Sequence, residues 1–248
     1  MSRIDEQFYV GEGSILIRKK GQGGEFRELG NVTAFKTAFE TSTETLRSGK
    51  KGGGNAARTD KIVGVTTEFT LNDLRPDNLA LITNGQAFED VATPVTDEPH
   101  VAVEQELIVF DKFPDMAQPV VVKNDAGDTT YDEGVHYVLG DQGIEVLAGA
   151  GIAFGDALKI SYTTAVVDRV EMLTAALGEN YEIIMDGLNA ENGKPVRLTL
   201  HNHKFALADE LDWLNETYAE VTVSGECLAD ATKSGAGISK FLKQEVKK

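Results

Sequence analysis

The chain carries a single cysteine, Cys227, which excludes an internal disulfide and a cysteine-rich metal site, so stability must come from packing or assembly. Proline is scarce, at 6 residues, and no apolar stretch reaches the ~18–20 residues that a membrane helix needs. The longest candidate, Leu147 to Phe154, is broken by glycines, and no membrane association is expected. The N-terminus sets Asp5, Glu6 and Glu12 around Phe8-Tyr9-Val10 and lacks the basic start and apolar centre of a secretory signal, so cytoplasmic synthesis is expected. Basic residues are outnumbered, 24 against 40 acidic for a net charge of -16, which argues against a broad groove gripping nucleic-acid phosphates.

What is present is an ordinary globular composition: 41% hydrophobic and 26% charged residues, with 25 glycines in 248. That length suits one large domain or a domain with a smaller insertion. Charge is uneven. Residues 101–200 hold six Lys or Arg against seventeen Asp or Glu, whereas the sixteen residues from Lys233 onward hold five Lys and one Glu. An acidic body therefore carries a basic tail, with smaller basic clusters at Arg18 to Lys20, Arg47 to Lys51, and Arg58 with Lys61.

The dominant period is two, the strand signal. Val65, Thr67, Phe69 and Leu71 share one face against Thr66, Glu68 and Thr70, and Phe35, Thr37, Phe39 and Thr41 oppose Lys36, Ala38, Glu40 and Ser42. Further strands are expected at Val101 to Phe110, Tyr181 to Met185, Val196 to Leu200, Lys204 to Leu207 and Glu220 to Leu228. One helix is expected from Pro76, with Leu79, Leu81 and Ile82 as its apolar flank and a left-handed Gly85 closing it. Asp168 to Gly178 reads as strand in preference to helix. The fold class is mainly β.

Leu46 to Asp60, with Gly49, Gly52, Gly53 and Gly54 among Lys50 and Lys51, is expected to be a long mobile hairpin loop that is disordered or orders on a partner. Residues 111–164 read as a small all-β insertion into a core made of 1–110 and 165–248. Its strands are expected at Val120 to Lys123, His136 to Leu139, Gly143 to Leu147 and Leu158 to Tyr162, and Tyr131 to Leu139 is expected to pair with Ile144 to Leu147.

Chemistry is sparse. The Gly49 to Gly54 loop lacks the Gly-Lys-Ser/Thr ending of a phosphate loop. His201 and His203 can share a face, but no Cys, Asp or Glu adjoins them in sequence to complete a metal site. Cys227 aligns with Val221 and Val223 as a core residue, and carboxylate pairs such as Asp132 with Glu133 and Asp209 with Glu210 suit solvated turns. No catalytic residue, metal site or cofactor is assigned, and the chain reads as a non-enzyme.

The run Leu29-Gly30-Asn31-Val32, a Thr- and Glu-bearing strand, the Gly/Lys loop, then Val63 to Leu71 with Asn72-Asp73-Leu74 and Asn78-Leu79-Ala80-Leu81 resembles the first half of the tail tube proteins of long-tailed phages. The second half is similar as well, through Glu182 to Asn189, Phe205-Ala206-Leu207, and Glu220 to Asp230 ending in Cys227-Leu228-Ala229-Asp230, so that about three quarters of the chain is covered. The 111–164 insertion departs from the family's minimal pattern.

The resemblance implies a β-sandwich or split-barrel subunit with a flanking helix, joining into hexameric rings that stack as a hollow conduit. Its partners would be further copies of itself, a tape-measure protein and tail-end proteins, with DNA transiting the lumen without specific binding. The location would be the virion tail, after assembly in the host cytoplasm. Glu40, Glu44 and Glu68 would face the lumen, repelling DNA phosphates. Phe8, Leu46 and Phe241 would anchor contacts between rings, steered by Arg47, Lys50, Lys51 and Arg58, with the N-terminal arm and Lys-rich C-terminus ordering on a neighbour. The insertion would point outward. The nearest alternatives are another β-sandwich virion protein, such as a decoration or tail-end protein, and the tube of a contractile secretion system.

Overall fold

The computed structural model describes residues 8–103, 106–149, 151–174 and 178–247. In chain order the elements begin with β1 (Gly11–Lys19), β2 (Arg27–Glu28), β3 (Val32–Arg47), β4 (Asn55–Leu71), α1 (Pro76–Ile82), β5 (Gln86–Asp90) and β6 (Pro94–Val101). There follow β7 (Leu107–Val109), β8 (Val121–Asn124), β9 (Thr130–Tyr131), β10 (Tyr137–Gly140), β11 (Gly143–Val146) and β12 (Ala157–Thr163). The last are β13 (Val167–Glu171), β14 (Asn180–Asn189), β15 (Lys194–Phe205), β16 (Val221–Cys227) and β17 (Leu242–Val246). The fold is mainly β, and the chain divides into two compact units, one of 1–87 with 170–248 and one of 88–169.

The first unit is one open sheet in the order β2-β1-β14-β15-β16-β4-β3, with β17 added to β15. Period-two alternation delivers its core: Val65, Phe69 and Leu71 of β4 and Val221, Val223 and Cys227 of β16 are buried, together with Ile15, Ile17, Ile183, Leu200 and Phe205. Leu81 and Ile82 of α1 close over this cluster. Pro76 stands at the helix start as expected, but Asn84, at φ 46°, takes the left-handed position in place of Gly85. Gly85 has a different duty, since a Cβ there would sit 2.3 Å from the Glu171 carbonyl oxygen.

Several expected elements are corrected. The 46–60 loop is mostly strand: β3 and β4 pair from Val32↔Leu71 to Arg47↔Asn55, leaving only 48–54 as the turn. Alternating Thr, Glu and Arg outweigh the glycines because side chains pair across the ladder, as where the Thr43 hydroxyl donates to Asp60 at 2.6 Å and accepts from Arg58 Nη2 at 3.4 Å. The two strands expected at 196–200 and 204–207 are one continuous β15, ending at Phe205. The strand expected over 101–110 is interrupted between Val101 and Leu107, and residues 104–105 lie outside those described. The 168–178 strand ends at Glu171, and residues 175–177 are also outside those described.

The C-terminus does not stand free. β17 pairs antiparallel with β15 from Val196↔Val246 to Leu200↔Leu242. Its approach is fixed by Asp230, which accepts from Lys20 Nζ at 2.7 Å and from the Thr232 hydroxyl at 2.7 Å, while the Asp230 amide donates to the Lys240 carbonyl. The Lys20 ammonium and Thr232 hold this carboxyl well below the usual range. Phe241, expected as an anchor between rings, packs half-buried against the core of its own unit, and its carbonyl accepts from the His201 amide.

The second unit is wider than the 111–164 segment expected, because β6 pairs with β12 and Ala102, Ile108 and Phe110 belong to its core. It comprises the sheets β6-β12-β8-β9 and β10-β11-β7 around Val122, Tyr137, Ile144, Leu158 and Ile160. The strand expected over 131–139 is two pieces: Tyr131 belongs to β9 and pairs with β8, and only 137–140 pairs with β11. Turn residues Asp132 and Gly134 break it, with the Asp132 carbonyl accepting from the His136 amide.

His203 sits at the centre of the first unit, fully buried between Phe69 and Phe205, its Nε2 at 2.6 Å from the Thr67 hydroxyl. Its ring lies over Gly225, where a Cβ would be 2.4 Å away. Burial pushes the imidazole down to about 3 from 6.5, so the folded chain keeps it neutral while the unfolded chain protonates it. The stability it confers is full above about pH 6.5 and is lost as pH falls towards 3, at up to about 1.4 kcal/mol per pH unit. Urea unfolding between pH 4 and 8 should show a shallower acid decline for His203→Gln than for the parent; parallel curves would contradict this account of the core.

Candidate assembly surfaces

β4 changes company along its length. Residues 65–71 lie between β3 and β16, whereas 55–64 have only β3 beside them. Among the described residues of this unit, the outer half of the β3–β4 pair is thus a two-stranded ribbon without a third strand, and such ribbons are marginal on their own. A register shift between Glu40 and Thr41 marks the point where it leaves the sheet. Phe39 and Ile62 share one face of the ribbon and are 69% and 70% exposed, and Leu46 and Val63 are exposed as well. Both strand edges there are open to a further strand.

The other face holds the residues expected to line a lumen. Glu40, Glu44 and Glu68 fall on one side, opposite Gly64, Thr59 and Lys36 in the register; Glu40 and Glu44 are exposed and Glu68 is half-buried. The same face also carries Lys36, whose Nζ lies 2.5 Å from Glu68, and Lys61 opposite Ser42. Three carboxylates against two lysines make this face only weakly negative.

Arg47, Lys50, Lys51 and Arg58, expected between rings, gather at the free end of the ribbon, where the Ser48 amide closes the turn on the Gly54 carbonyl at 2.8 Å. Arg58 is tied to Asp60, whose carboxyl is held below its usual range by the Thr43 hydroxyl and the Arg58 guanidinium. Phe8 is exposed beside Asn189, whose Nδ2 donates to the Phe8 carbonyl at 2.9 Å. Residues 1–7 of the expected N-terminal arm lie outside those described.

Sequence reasoning missed one surface. Between β15 and β16 the 206–220 segment presents Trp213, Leu214 and Tyr218, the last two 95% and 93% exposed. The signal was available: from residue 205 to 232 there is no Lys or Arg but seven Asp or Glu, with two aromatics placed among them.

Groups suited to catalysis are spent on structure. Cys227 is buried, which pushes its thiol up to about 11, and its Sγ contacts the Phe241 carbonyl. In the second unit Glu98 Oε1 accepts from His100 Nε2 at 2.6 Å and from the Asp111 amide, and Oε2 accepts from the Tyr162 hydroxyl at 2.6 Å. Burial opposes ionisation of Glu98, but these donors outweigh it and lower its pKa. Among the described residues no group of three or more His, Cys, Asp or Glu is placed to hold a metal ion. A groove of about 410 Å³ beside α1 is lined by Arg18, Arg27 and Asp77, but Arg18 is bound to Glu182 and Arg27 to Asn78.

Because the outer ribbon contributes nothing to the core, replacing 42–61 by an Asn-Gly turn should leave the free energy of unfolding of the isolated chain within about 0.5 kcal/mol of the parent. Urea titration followed by circular dichroism checks this; a loss of several kcal/mol would mean the ribbon is part of the fold itself.

No curated protein matches the chain. The family described as "Protein of unknown function UCP028589" matches it over residues 8–245, and the chain belongs to that family.

Proposed function

We propose that the chain is the repeating subunit of a phage-type tail tube, a structural protein and not an enzyme. The observation that carries this reading is the ribbon: 16- and 17-residue strands whose outer halves have open edges, exposed apolar side chains and no core of their own. A chain that invests so much ordered backbone outside its core is organised for addition to another copy, since pairing these edges buries the apolar residues and removes an aggregation hazard. Sheets of neighbouring copies would join laterally into a closed barrel, making each subunit a β-sandwich or split-barrel element of a six-membered ring.

The face bearing Glu40, Glu44 and Glu68 then lines the conduit. Its modest negative charge, tempered by Lys36 and Lys61, gives DNA phosphates no attractive site and so permits passage. The remaining partners are those of a tail, a tape-measure protein inside during assembly and tail-end proteins at the termini, with assembly in the host cytoplasm.

Sedimentation velocity and negative-stain imaging of the purified chain across a wide concentration range test this. Rings or tubes of uniform diameter, increasing with concentration, are expected. A featureless monomer at every concentration, persisting when tail-assembly partners are added, would overturn the proposal.

A further inference from the structure

The two unpartnered surfaces of the first unit lie at opposite ends of the same strand. β4 runs from Asn55, beside the ribbon's turn, to Leu71, which pairs with Val221 where the 206–220 segment rejoins the sheet. At ~3.3 Å per residue its 17 residues place these ends roughly 55 Å apart. One end carries Arg47, Lys50, Lys51 and Arg58, the last of them paired with Asp60, with exposed Leu46. The other carries Asp209, Glu210, Asp212, Glu216 and Glu220 around exposed Trp213, Leu214 and Tyr218.

We infer that the 206–220 segment of one copy is the receptor for the basic ribbon tip of a second copy, which makes the stacking contact head-to-tail. The inference rests on the tube reading and names the surface that reading leaves open. Three observations support it. The charges are opposite in sign, which sets orientation and steers encounter. Both patches pair charge with exposed apolar side chains, the composition of an interface centre and rim. Their position at opposite ends of one strand means that one copy cannot satisfy both itself, so the contact is heterologous and repeats from copy to copy, along an axis in the tube reading. A depression of about 440 Å³, lined by Asp212, Asn215, Thr217, Tyr218 and Glu220, is large enough for a lysine or arginine side chain, with two carboxylates to pair with it and the Tyr218 ring to stack on it.

Charge reversal tests the pairing in a way that misfolding cannot imitate. One variant carries Arg47→Glu, Lys50→Glu and Lys51→Glu, so both its ends are acidic. A second carries Asp209→Lys, Asp212→Lys and Glu216→Lys, so both its ends are basic. All six positions are exposed or half-buried surface sites, and circular dichroism confirms folding before use. Each variant alone should need at least a tenfold higher concentration to stack, and mixing the two should restore stacking, because each tip then meets a segment of opposite charge. Variants that stack like the parent, or a mixture that stays unstacked, would overturn the inference while leaving the tube reading intact. A parent chain that forms neither rings nor tubes would overturn the tube reading and the inference with it.

Discussion

The structure turns on one constraint: a strand buries its faces only where neighbours flank it, and β4 has neighbours on both sides for less than half its length. Where β16 accompanies it, Val65, Phe69 and Leu71 find Val223, Phe35 and Phe205, and the sheet gains α1 as a cover. Where β16 is absent, beyond the register shift between Glu40 and Thr41, Ile62 and Val63 are exposed. Core and exposed ribbon are thus two halves of one element, and what separates them is the point at which β16 ends, at Cys227↔Val65.

Two internal fastenings keep the inner half rigid. Lys20 and Asp230, 2.7 Å apart, fix the path that delivers β17 to β15, so the basic C-terminus is used within the chain. His203, held neutral by burial, fills the space over Gly225 and meets Thr67 across the core. The titratable side chains that look most enzyme-like, including Glu98 with His100 and Tyr162, are consumed by packing in the same way.

Much of the inner sheet was legible because half-buried strands write their burial directly into alternation, as at residues 65–71 and 221–227. Pro76 likewise marked the helix start. The ribbon was not legible, because exposed strands have no apolar period to display; Gly52, Gly53 and Gly54 drew attention to a loop when the decisive feature was the run of Thr, Glu and Arg on either side. The pairing of the Lys-rich tail was not legible because lysine content reports solvent exposure of a side chain and says nothing of its backbone, which in β17 pairs with β15. The 206–220 surface was overlooked because aromatics in an acidic segment have no periodicity to flag them.

The central claim is that the outer ribbon is finished only by another copy. Amide hydrogen exchange over residues 39–63, compared between the dilute chain and its assembled form, tests it most directly. The account predicts rapid exchange in the dilute chain, limited by local opening of a lone ribbon, and slowing by at least a hundredfold on assembly, with residues 65–71 already protected in both. Equal protection of the ribbon in the two states, whether fast or slow, would contradict it.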